Sequence, residues 1–380
     1  KAFVDVLTKY GIEINPDRIG HYNFTLPAGR RAFEKFKEIF GHYPVCVGSW
    51  HIDAYSLNYM AEKYGVKASC NCKEQYGTDG YTLWGGYYNG GYYPSRTNML
   101  CPAQHEETKI NTPVFRMLGL DPVFGYDERK YTDKLNGCPT MEPVWASGTS
   151  SDVMDWYFRT YYENPCLTQA YATTGQENSF GWDWIGPGYR LQTEKLADLS
   201  RRGVVTLEKL GDTGEAMMRD CKDTPAAAMV AKDSWDGQDI KSVWYSCRSY
   251  RCNLFCREGE LFVRDLTKFD DGYTDRYQDT PCTAWDARYD NLPVVDGRLW
   301  SGEGKECRIS FGRRYLMKSG KVQTNPGTNN PDIVRPVGNP PDEQVQVLRI
   351  DREGGKAIAV INFQTHPDVV GGETLTADWP

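Results

Sequence analysis

Phe33, Phe36, Ile39 and Phe40 recur at helical spacing along RRAFEKFKEIFG and predict an amphipathic helix closed by Gly41. YPVCVGSW then predicts a buried strand ending at Trp50. SLNYMAEKYG reads as a second glycine-closed helix, and VKASCNC and TPVFRMLG as further strands. A helix is expected around Ser151 to Tyr162, followed by the strand CLTQAYATT and the helix LQTEKLADLSRRG, ending at Gly203. The strand VVTLEKL, the short helix TGEAMMRDC and the strand AAAMVAK complete the series. Such alternation with short linkers predicts an α/β fold, a parallel sheet covered by helices and closed into a barrel. An open doubly wound sheet is the competitor.

Beyond Trp235 the pattern changes. SVWYSCRSYRCNLFCREGELFVRDL reads as antiparallel strands joined at the turn REGE. TNPGTNNPDIVRPVGNPP is dense in Pro, Asn and Gly and reads as a long loop, and QVQVLRIDREGGKAIAVINF as a hairpin turning at EGG. The expected division is therefore a barrel over residues 1–235, a β-rich accessory segment over 236–303 and a third segment over 304–380.

Bulk composition narrows the function. Hydrophobic residues at 40% and charged residues at 25% allow a sizeable core. No run of about 18 apolar residues occurs, so no membrane-spanning helix is expected. The net charge of −7 argues against a nucleic-acid binder, which needs a basic stripe. Twelve cysteines, with no C-x-x-C, read mostly as small buried hydrophobes. An aromatic content of 13% suits a glycan-binding surface as well as a large core. The chain starts at Lys1 without an apolar leader and stops at ADWP in mid-pattern. We expect a piece of a longer protein, periplasmic or secreted.

Ligands of a parallel barrel meet the loops leaving the C-terminal strand ends. That rule gathers His51 and Asp53, Lys73 and Glu74, Asp121, Gln176 and Glu177 with Asp183, Glu208 and Asp233 into a ring of carboxylates and polar groups. Two carboxylates cleave a glycosidic bond at separations of about 5–5.5 Å with retention or about 6.5–9.5 Å with inversion. Asp53 and Glu177 are the expected pair, with Asp121 and Asp183 as further catalytic candidates. Each is also placed to cap the following helix. Trp182 and Phe180 are expected to desolvate Glu177. Trp84, Tyr87 and Tyr88, in the glycine-flanked loop Tyr81 to Ser95, would hold a sugar or pack as a lid. His51, Lys73, Glu74, Gln176 and Trp182 would line the same substrate site.

Metal chemistry has little support. None of the five histidines falls at H-x₃₋₅-H, so no cofactor is expected. G-x-G-x-x-G after an early strand, G-x-x-x-x-G-K-[ST] and G-x-S-x-G are all absent.

GSWHIDAYSLNYMAEKYGVKASCNCKEQYGTDGYTLWGGYY and VFRMLGLDPVFGYD resemble an uncharacterised glycoside hydrolase/deacetylase family of gut anaerobes, over about residues 10–300. The resemblance implies a seven-stranded barrel, (β/α)7-type, followed by a smaller β-rich domain. GQENSFGW is similar to the acidic segment of barrel-type α-glucan hydrolases, which implies a carboxylate at Glu177. The paired histidines of metal-dependent polysaccharide deacetylases are missing. From 311 to 380, INFQTHPDVVGGETLTADWP and the stretch before it resemble part of a neutral ceramidase-like domain. That would make His366 a zinc ligand, without the family's upstream His-x-His.

The expected function is a carbohydrate-active hydrolase acting on a glycan or glycoconjugate. The alternatives are a polysaccharide deacetylase or ceramidase-like zinc amidase, the one reading that needs zinc, and a non-catalytic glycan-binding protein.

Overall fold

The computed structural model describes residues 26–49, 53–71, 86–116, 121–124, 141–143, 146–167, 170–172, 181–276, 278, 292–297, 308–311, 345–353, 356–363 and 374–378. Helix α1 (Leu26–Phe40) leads into β1 (Cys46–Ser49), α2 (Ala54–Tyr64) and β2 (Ala68–Asn71). β1 and β2 pair in parallel, Cys46 opposite Ala68, so this part is one β–α–β unit. Local chemistry sets the bounds of α2. The Asp53 carboxylate accepts the Ser56 N–H at 2.6 Å at its start. At its end Gly65 takes φ 71°, and its N–H reaches the Ala61 carbonyl.

Helices α3 (Ala146–Thr149) and α4 (Ser151–Tyr162), the two-residue β3 (Cys166–Leu167), α5 (Trp182–Arg201) and α6 (Leu210–Asp220) follow. Then come β4 (Ala227–Ala231), β5 (Ile240–Ser246), β6 (Tyr250–Arg257), β7 (Glu260–Lys268), β8 (Leu292–Asp296) and β9 (Ile309–Phe311). These strands form one seven-stranded sheet in the order β3-β4-β5-β6-β7-β8, with β9 also on β7. Every pairing in it is antiparallel. Glu258 and Gly259 turn β6 into β7 with φ of 54° and 76°, the pair of positive φ values that a tight hairpin requires. A separate antiparallel sheet holds β10 (Val345–Glu353), β11 (Lys356–Phe363) and β12 (Thr374–Asp378).

The barrel expected from the alternation, with the (β/α)7-type form that the resemblance implied, is not what forms. Among the described residues, parallel pairing is confined to β1–β2 and a single bridge between Ser69 and Val114, and no sheet closes. VVTLEKL, read as a strand, is irregular up to Lys209, where α6 begins. The physical reason is that short apolar runs carry no strand direction. From Lys232 to Asp239 the chain is also too short for the crossover of about a dozen residues that parallel pairing needs. β4 therefore turns back onto β5.

One core packs α4 against the sheet through Met154, Trp156, Tyr157, Phe158, Trp244 and Phe255. A second joins α1 and α2 to the segment 86–114 through Phe33, Leu57, Tyr87, Tyr92 and Ile110. The stripe read on α1 is only partly used: Phe33 is buried, whereas Ile39 and Phe40 are exposed.

Candidate functional site

Alternation along β5 puts Ile240, Ser242, Trp244 and Ser246 on the covered face. Their cross-strand neighbours continue it: Asn253 lies opposite Trp244, and Arg251 opposite Ser246. Across the next pairing Asp265 lies opposite Asn253 and Thr267 opposite Arg251. The buried face of this sheet is thus strongly polar. Such groups are tolerable only when bonded, and they are. Arg251 Nε and Nη2 hold the two oxygens of Asp265 at 3.1 and 2.9 Å, and its Nη1 donates to the Gly86 carbonyl at 3.0 Å. The register shifts at Asn253/Leu254, and there Arg264 Nε donates to Asn253 Oδ1 at 2.7 Å.

This polar face pins the segment 121–124. The Pro122 carbonyl accepts from Ser242 Oγ at 2.8 Å and Trp244 Nε1 at 3.0 Å, and the Val123 carbonyl accepts from Arg264 Nη1 at 2.7 Å. At the head of the segment sits Asp121, 3% exposed. One of its oxygens accepts the N–H groups of Val123 and Phe124 at 2.7 and 3.0 Å. Burial dominates its titration and pushes the carboxyl up to about 7, against the lowering by those two N–H groups and by the Arg264 charge. The negative charge of Asp236 raises it further. Asp236 itself is half-buried and accepts from Ser234 Oγ and from Gln238 Nε2 at 2.6 Å.

Two phenols complete the surroundings. Tyr88 stacks on Trp244 with ring centres 4.1 Å apart, and its hydroxyl lies 3.2 Å from that of Tyr161. Burial raises both phenols, and the Asp121 charge adds to the shift on each. They stay protonated at any physiological pH. The cluster therefore holds a carboxyl that titrates near neutrality, a second carboxylate whose charge it feels, and hydroxyl donors.

The sequence-predicted residues are scattered differently from the expected ring. Asp53 caps α2, and Asp183 is exposed in the first turn of α5. Tyr87 and Tyr88 are fully buried, Tyr87 donating to the Ser246 carbonyl at 2.9 Å. Asp233 pairs with Arg159 at 2.9 Å, and Glu208 accepts from Thr213. Trp182 stands exposed at the start of α5. His51, Lys73, Glu74, Trp84, Gln176, Glu177 and His366 lie outside the described residues. Of the expected residues, the structure brings Asp121 and Tyr88 into one cluster. Sequence reasoning missed Arg264 and Asp236. The only signal for Asp236 was its place in KDSWDG, a turn between two strands. Among the described residues no three His, Cys, Asp or Glu gather as a metal set, and no helix is long and apolar enough to cross a membrane.

No curated protein matches this chain. Its fold is similar to a crystal structure from Parabacteroides distasonis described as a "putative glycoside hydrolase/deacetylase", at a TM-score of 0.56 and 16% identity, covering 78% of this chain and 74% of that one. That likeness is one of fold, and neither comparison carries the ceramidase-like resemblance expected for 311–380. Residues 24–185, which include α1 to α4 and Asp121, match a family described as a domain of unknown function with a solved structure, DUF3863.

Proposed function

We propose that this chain is a carbohydrate-active hydrolase of the glycoside hydrolase or deacetylase kind, with Asp121 as its proton donor and Asp236 as the second carboxylate. The observation that carries the reading is the pair itself. One carboxyl is buried, and burial pushes its titration up to about 7. The other is more exposed, hydrogen-bonded and close enough for its charge to act on the first. A buried acid beside a second carboxylate is the arrangement that acid–base cleavage uses. The description of the structurally similar protein directs the substrate toward a glycan.

In glycosidic cleavage Asp121 gives its proton to the leaving oxygen as the C–O bond breaks. Asp236 then serves as base for water or as nucleophile, depending on its reach across the sugar. Tyr88 and Tyr161 supply hydrogen-bond donors that do not themselves ionise. At 3% exposure Asp121 is kept from bulk water, so contact with a glycosidic oxygen requires its cover to open. In deacetylation Asp236 would take a proton from water attacking the acetyl carbonyl, and the Asp121 proton goes to the amine as the C–N bond breaks and acetate leaves.

The test is a panel of polysaccharides and acetylated glycans, scored for new reducing ends and for free acetate. Wild type should act on at least one class, with Asp121→Asn and Asp236→Asn each slower by at least about a hundredfold. A panel with no product, and glycan binding retained, would return the protein to the non-catalytic class.

A further inference from the structure

Trp182 opens α5, and its indole lies on Gly186, one turn further along. A Cβ built at Gly186 would stand 3.1, 3.3 and 3.4 Å from Cε2, Nε1 and Cδ2 of Trp182. Near-equal distances to three atoms around the ring junction place the indole face-on against bare backbone. Tyr189 meets it edge-on with ring centres 6.0 Å apart, and the Arg190 guanidinium carbon lies 5.5 Å from its centre. The ring is therefore seated and flanked, yet Trp182 remains 52% exposed and Tyr189 41%. The core-facing work of this helix is done elsewhere, by Ile185, Gln192 and Leu199.

We propose that Trp182, with Tyr189 and Arg190, forms a glycan-stacking subsite. The apolar C–H face of a pyranose ring would lie on the open indole, while the phenol and guanidinium bond its hydroxyls. Chemistry favours a sugar over a protein partner here. A protein interface needs a wide contiguous apolar patch, and this one is limited to the Trp182 and Tyr189 rings, bordered by exposed Asp183 and Arg190. Trp184 does not extend it, because two residues along a helix is a rotation of about 200°. The subsite does not depend on the chemistry assigned to Asp121.

The full chain is run in native gels containing soluble β-glucan, mannan, xylan, galactan or pectin, and affinities follow from the retardation. At least one polysaccharide should retard the wild type. Trp182→Ala should bind it at least about tenfold more weakly, a loss of about 1.4 kcal/mol. Trp182→Tyr, which keeps a flat ring, should return to within about threefold, and Trp184→Ala should match wild type. Gel retardation reads binding without turnover, so failed turnover and failed binding are read separately. The proposal is overturned if no polysaccharide retards the wild type, or if Trp182→Ala is retarded like wild type. It is equally overturned if Trp184→Ala loses as much, or if Trp182→Ala changes only self-association in sedimentation.

Discussion

Asp121→Asn tests the electrostatics of the buried carboxyl through stability. The folded carboxyl titrates near 7 and the unfolded one near 3.8. Between those values the folded chain holds a proton that the unfolded chain has released. The stability gradient with pH is then negative, by about 1.4 kcal/mol per unit. Stability contributed by this group is complete below pH about 4 and is lost as pH rises through 7. Over some three units the loss is roughly 4 kcal/mol. Asparagine keeps an oxygen for the Val123 and Phe124 N–H groups but cannot ionise. Urea unfolding of both proteins from pH 4 to pH 8 cancels every other titrating group in the difference. The variant should gain on wild type by about 4 kcal/mol across that range. A difference that stays flat within about 0.5 kcal/mol would show that Asp121 ionises as an ordinary carboxylate, and the proton-donor argument would fail.

Three further changes probe the frame around it. Asp265→Ala leaves the fully buried Arg251 charge without its bidentate partner, and should cost about 3–5 kcal/mol in urea unfolding. Gly214→Ala raises helix propensity, yet a Cβ there runs into the Lys67 carbonyl oxygen and comes within 2.6 Å of Ala68 Cβ. A net loss of about 1–3 kcal/mol is expected, and a gain would refute the packing of α6 on β2. Asp53→Ala should lose about 1 kcal/mol with the helix cap while Asp53→Asn loses little. Both should keep any turnover, and an inactive but stable Asp53→Asn would restore the carboxylate to the chemistry.

Much of the local structure was legible. The 3.6-residue period marked α1, α2, α4 and the later part of α5, and the Glu-Gly turn marked the β6–β7 hairpin. Pairing partners were not legible, since an apolar run such as AAAMVA looks alike in either strand direction. Alternation also misleads in β5 to β7. Ser242, Arg251, Asn253 and Asp265 occupy the covered face, where a polar residue would ordinarily be assigned to solvent. They can be there because each finds a hydrogen-bond partner on the neighbouring strand: Asn253 on Ser242, and Arg251 on Asp265. Asp121 was visible as a carboxylate after an apolar segment. Its burial and its coupling to Asp236 depend on contacts 115 positions apart, which no local pattern records.

The most direct measurement is the pH dependence of kcat/KM on whichever glycan the protein turns over. With Asp121 donating its proton, the rate should fall about tenfold per unit above a break near pH 7, and Asp121→Asn should be slower by at least about a hundredfold at pH 6. A wild-type rate that holds level to pH 9, or an Asp121→Asn rate equal to wild type, would contradict it.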